Sequence, residues 1–110
     1  GMDKVIITYE TLFEILRRER DKEELQTLNG TFLDDIKEYI NQKKTPQGHN
    51  PFSSIDGQKN AMQLVNARKL AKDIYDRREK KIIDMAIVKA RAPTALVTTS
   101  ALLHHEKELF

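Results

Sequence analysis

Cysteine is absent from this 110-residue chain, so neither a disulfide framework nor a thiolate metal site is available to it. Glycine is scarce, with four residues set far apart. They cannot assemble a phosphate cradle, and the P-loop, the dinucleotide fingerprint and the Gly-x-Ser-x-Gly elbow are all missing. No apolar run approaches the roughly 18 residues of a membrane span. The opening Val5-Ile6-Ile7 is too short for the apolar region of a secretory signal. A cytoplasmic protein is the expectation. Hydrophobic residues make up 39% of the chain and charged residues 33%. The first value is low for a globular domain and the second is high, which predicts one modest core and densely charged helix faces.

What is present reads as helix throughout. Thr8 is a good N-cap. After it Tyr9, Leu12, Phe13 and Leu16 recur at helical spacing, with Ile15 beside them. This helix runs to about Arg20, and Glu14 and Arg18 pair along it. Ile6 is expected to staple against Leu12. Lys22 to Leu28 reads as another turn or two. Asn29-Gly30 is a stop, and Thr31 caps a second helix carrying Phe32, Leu33, Ile36, Tyr39 and Ile40. Asp34 and Asp35 suit its N-terminus, while Lys43 and Lys44 suit its C-terminus. Phe13, Phe32 and Tyr39 are read as core.

Residues 45–54 hold two prolines, a glycine and small polar residues, and read as a loop. From about Asp56 to Ala92 no proline occurs, and Pro93 ends the pattern. Such a helix is about 50 Å long. Asp73–Arg77 and Asp76–Lys80 are spaced to support it. Ala92 to Ser100 reads as a linker. A last helical pattern from Ser100 reaches Leu109-Phe110 without a cap, which points to a longer parent chain. The expected fold is therefore all-α: two or three short amphipathic helices packed on one long helix, about 56–92, with a short C-terminal helix. Residues 1–92 form the bundle, and 93–110 form the linker and truncated helix.

Length carries a further expectation. Two helices of about 20 Å cannot cover one of about 50 Å. Part of the long helix must then face another copy, another subunit or a missing domain. The apolar series Leu64, Ala67, Ala71, Ile74, Tyr75, Arg78, Ile82 and Met85 is read as that partner interface.

Charge is unevenly spread. Residues 59–91 hold ten Lys/Arg against four Asp/Glu, whereas residues 1–58 hold eight against eleven. Solvated helices of complementary charge explain this most simply. A surface for nucleic acid or an acidic protein is the sharper reading. It would use Arg77, Arg78, Lys80, Lys81, Lys89 and Arg91. Acids interrupt that run and only Tyr75 is near it for stacking, which argues against direct base reading and leaves backbone contact.

No constellation carries catalysis. Asp34-Asp35 and Glu23-Glu24 are adjacent pairs whose side chains diverge on a helix. His104 and Glu108 stand four apart with His105 adjacent, but zinc takes three or four convergent ligands. No metal, no cofactor and no enzymatic activity are expected.

An ordered set of segments resembles a known family. Residues 7–20, Ile-Thr-Tyr-Glu-Thr-Leu-Phe-Glu-Ile-Leu-Arg-Arg-Glu-Arg, are similar to the start of archaeal GINS subunits of the helical-domain-first type. Residues 25–28 and 32–40 resemble that family's second helix. Residues 67–70 and 74–86 resemble its long helix, and 102–103 with 106–110 the segment leading to its β domain. The resemblance implies a non-catalytic subunit of a DNA replication assembly, nucleoid-associated, with no membrane contact. It implies partners as well: other GINS subunits or a second copy, the MCM helicase and a RecJ-like protein. It also implies that a β domain is missing. The alternative is a stand-alone nucleic-acid-binding module built on the basic long helix.

Overall fold

The computed structural model describes residues 6–43 and 55–107. Loop 45–54, its Phe52, and Glu108 to Phe110 lie outside the described residues. Three helices follow one another: α1 (Tyr9–Asp21), α2 (Phe32–Lys43) and α3 (Ile55–Arg91), then a 3₁₀ turn at His104–Glu106. The fold is all-helical, with the long helix packed against two shorter ones. None of the described helices is long and apolar enough to cross a membrane.

Local chemistry sets the helix ends. Thr8 caps α1 by accepting the Thr11 N–H at 3.1 Å. At the other end the Lys22 N–H bonds the Arg18 carbonyl while Lys22 itself is extended. Before α2, Asn29 rather than Thr31 gathers the loose groups. Its side-chain oxygen accepts both the Thr31 N–H and the Thr31 hydroxyl, and its carbonyl accepts the Phe32 N–H. Asp35, 2.9 Å away, is the alternative acceptor for the single Thr31 hydroxyl proton. Pro93 follows Arg91 and Ala92 and stops α3, whose last turn is held by Lys89 donating to the carbonyls of Pro93 and Ala95.

At about 1.5 Å per residue α3 is about 55 Å long, close to the 59 Å long axis of the molecule. Leu12 and Leu16 of α1, with Phe32, Ile36 and Tyr39 of α2, close over Ala67, Ala71 and Ile74 of α3. The two alanines let the short helices approach closely, because interaxial distance follows side-chain size at the contact. α2 runs antiparallel to α3: Phe32 lies 6.1 Å from Tyr75 between ring centres, and Lys43 bonds Gln63. Lys43 also lies over the Tyr39 ring.

Five expectations are corrected. Residues 22–28 are not helical; backbone groups of this stretch are bonded by side chains of α1 and α3 instead, as described below. Ile6 is 77% exposed and does not staple Leu12; its neighbour Ile7 enters the core instead. Phe13 is 49% exposed, because α1 turns only Leu12, Leu16 and Glu19 fully inward. The segment after Pro93 does more than link. Ala101, Leu102 and Leu103 are buried, and the expected last helix is a single 3₁₀ turn among the described residues. Glu14 pairs with Arg17 as well as Arg18, and Asp76 pairs with Lys72 rather than Lys80. Such exposed pairs contribute little to stability, because water and salt screen them.

Candidate interaction surface

A largely buried ion network joins α1, α3 and the 3₁₀ turn. Arg78 of α3 is fully buried, Glu19 of α1 is 1% exposed and Glu106 of the 3₁₀ turn 3%. Arg78 grips Glu106 in a two-pronged contact, Nε to Oε2 and Nη2 to Oε1, each 2.8 Å. Nη1 donates to Glu19 Oε1 at 2.8 Å and to the Gln26 carbonyl. Nη2 donates also to the Ala101 carbonyl at 2.8 Å. Every N–H of the guanidinium therefore finds an acceptor, which is the condition for burying a charge.

The carboxylates are equally well served. Glu19 accepts from Lys81 Nζ at 2.6 Å and from the Gln26 N–H at 3.1 Å. Glu106 accepts the Leu103 N–H at 2.8 Å. Lys81 Nζ goes on to the carbonyls of Glu19, Lys22 and Glu24. Two cations and two anions balance. Burial works against the Arg78 charge, but Glu106 and then Glu19 overcome it and hold the pKa above the usual arginine value. The cluster is saturated internally and fastens the end of α1, the irregular residues 22–26 and the 101–106 segment onto α3. Backbone groups that a helix over 22–28 would pair among themselves are taken by Lys81, Arg78 and Glu19, and this tertiary demand overrides local propensity.

This network was not foreseen. Glu19 reads in sequence as one more charge beside Arg18 and Arg20, yet it sits three residues after Leu16 on the apolar face, and that register was the available signal. Arg78 was placed with the interface and with the possible DNA contact, and it belongs to the interior. The rest of the expected interface divides in the same way. Ala67, Ala71, Ile74 and Ile82 are buried against the chain's own core, and Leu64, Tyr75 and Met85 are half-buried. In the basic set, Lys81 is committed beside Arg78, Arg77 pairs with Asp73 at 3.1 Å, and Lys89 closes the end of α3. Lys80 and Arg91 remain exposed. The structure does not bring the six together as one positive patch.

Tyr75 is wedged between Phe32 and His105, the latter ring at 5.5 Å. Its buried hydroxyl finds no hydrogen-bond partner among the described residues. Burial, with the nearby Glu106 charge, pushes its pKa up to about 12, partly opposed by Arg78. A raised folded-state value means that this contribution to stability is complete below the unfolded pKa of about 10 and is lost as pH rises toward 12. Stability of the wild type is expected to fall on that alkaline limb, and Tyr75→Phe to flatten the fall at no cost near neutrality. Urea midpoints between pH 8 and 11.5 test this. A mutant that follows the wild-type slope throughout would remove Tyr75 as the cause.

What lies outside is more suggestive than the expected stripe. Met62 is 67% exposed, Val65 49%, Ile83 43% and Ile87 41%, all on the side of α3 turned away from α1 and α2. A groove of about 530 Å³ runs beside α3 at Met85 and Val88, walled by the 23–27 and 96–101 segments. Apolar residues on both faces of α3 leave the outward stripe indistinct in sequence beside the inward series Leu64 to Met85. Comparison with models of protein families, with curated proteins and with solved structures gives no match.

Proposed function

We propose that this chain is a non-catalytic helical assembly domain of the GINS-like kind, acting in a DNA replication complex at the nucleoid. It joins other subunits through helix–helix contact, and through them the MCM helicase and a RecJ-like protein. The observation that carries the assembly role is the exposed apolar series on α3, Met62, Val65, Ile83 and Ile87. Isolated surface apolar residues need no explanation, but a series along one face of a strongly charged helix does. The replication setting is supported by the ordered resemblance of residues 7–20, 25–28, 32–40, 67–70 and 74–86 to GINS subunits. The test is light scattering of the purified chain mixed with GINS subunits of an archaeal complex. A mixed particle of defined mass is the expected result. Separate elution with every subunit, at concentrations up to about 100 times a micromolar Kd, would remove the GINS assignment.

A further inference from the structure

The outward face of α3 is self-complementary, and we infer that it binds a second copy of this chain as an antiparallel helix pair. The inference rests on reading α3 as an assembly surface, but it names the occupant and the register. Val65 and Ile83 are about five full turns apart at 3.6 residues per turn, so they lie on one line along the helix. Met62 and Ile87 flank that line at its two ends. Between them stand Lys69, Lys72, Asp76 and Glu79, all exposed.

Laying a second α3 antiparallel on the outward face, with the two-fold axis at the level of residue 74, sets these residues, Met62 apart, against suitable residues of the other copy. Val65 faces Ile83, and Ala61 faces Ile87. Lys69 faces Glu79, and Lys72 faces Asp76. By symmetry each pairing occurs twice, as an isologous interface requires. Lys72 already bonds Asp76 of its own helix at 2.7 Å, and its three ammonium donors allow it to bridge to the second copy too. The four groups then form a ring around the axis. Arg68 and Lys80 stand on opposite rims of the pair, where both stay in water. Shallow depressions of about 320 Å³ beside Met62 and Val65, and of about 230 Å³ beside Glu79 and Ile83, mark where the apolar ends of the second helix seat. A parallel arrangement would set Lys69 on Lys69 and Asp76 on Asp76, and is disfavoured by charge.

Sedimentation equilibrium of the whole chain tests this with two charge-reversed variants. One carries Lys69→Glu and Lys72→Glu, the other Asp76→Lys and Glu79→Lys. All four positions are exposed, so circular dichroism should report unchanged helix content. Each variant alone places like charges opposite one another, and its self-association is expected to weaken at least about tenfold. Mixed one to one, they restore every opposite-charge pairing and should form a heterodimer near wild-type affinity. Because the chain has no cysteine, register is read from Val65→Cys with Ile83→Cys, which should cross-link on mild oxidation while Val65→Cys alone should not. A monomeric wild type, variants that associate as tightly as wild type, or a mixture that fails to recover would each overturn the inference. A wild type that is monomeric alone yet joins a GINS subunit would overturn self-pairing while leaving the assembly reading intact. A dimer that ignores every GINS subunit would do the reverse.

Discussion

Arg78→Met is expected to destabilise the chain by about 3–5 kcal/mol, the cost of leaving buried charge without its partner. The side chain is fully buried and meets both Glu19 and Glu106. Removing it strands two carboxylates and the carbonyls of Gln26 and Ala101, all of which accept from it. Lys81 relieves only Glu19. Domains of this size have about 5–15 kcal/mol in total, so the variant is expected to be partly unfolded at room temperature. Urea unfolding followed by circular dichroism gives the value directly. A loss below about 1 kcal/mol, the range of exposed pairs, would mean that water reaches the network.

The same geometry predicts that Arg78→Lys does not rescue. A lysine has a point charge and donors at a single atom, whereas Arg78 reaches two carboxylates and two carbonyls lying on different sides of a planar fork. Replacing all three ionic residues by apolar ones of similar size would remove the stranded charges. It would still leave Lys81 without its counter-charge and the Gln26 and Ala101 carbonyls bare. Recovery from the triple replacement is therefore expected to be partial. This differs from a simple buried pair, where an apolar substitution is often neutral or better.

Much of the architecture is legible in sequence because it rests on local rules. The Thr8 cap, the apolar spacing from Leu12 to Leu16 and from Phe32 to Tyr39, and the run without proline before Pro93 each act within a few turns of helix. What is not legible depends on distant groups. Residues 22–28 have helical composition, but the donors that take their carbonyls out of a helical pattern come from Arg78 and Lys81, more than fifty residues away along the chain. Glu19 and Glu106 look like surface charges until α3 supplies the cation between them. The stripe on α3 illustrates a different difficulty. Both of its long faces carry apolar residues, and periodicity alone does not say which one α1 and α2 cover. The inward choice follows from the small Ala67 and Ala71, which admit two helices, and from Arg78, which two carboxylates require. Phe13 misleads for a similar reason: it shares a turn with Leu12, and only one of them points at α3.

The two carboxylates of the network are expected to fail in different ways. Glu19 sits near the end of α1, which is packed into the core through Leu12 and Leu16. α1 cannot leave without dismantling that core, so Glu19→Ala should cost about 3–5 kcal/mol against global unfolding. Glu106 sits in a short 3₁₀ turn joined to α3 by the irregular 92–100 segment. When Glu106→Ala removes the two-pronged contact and the acceptor of the Leu103 N–H, that segment can lift away. Water then reaches Arg78 and limits the global loss to about 1–3 kcal/mol, the range for an unsatisfied buried group. Hydrogen exchange separates the two cases. In Glu106→Ala the amides of 101–106 should exchange far faster than in wild type, while those of α1 and the middle of α3 stay protected, as expected of a local opening. In Glu19→Ala protection should drop across α1, α2 and α3 together. Equal losses for both variants, with exchange rising everywhere in each, would mean that residues 101–106 are an inseparable part of the core. The C-terminal segment would then have to be counted as a fourth element of the bundle.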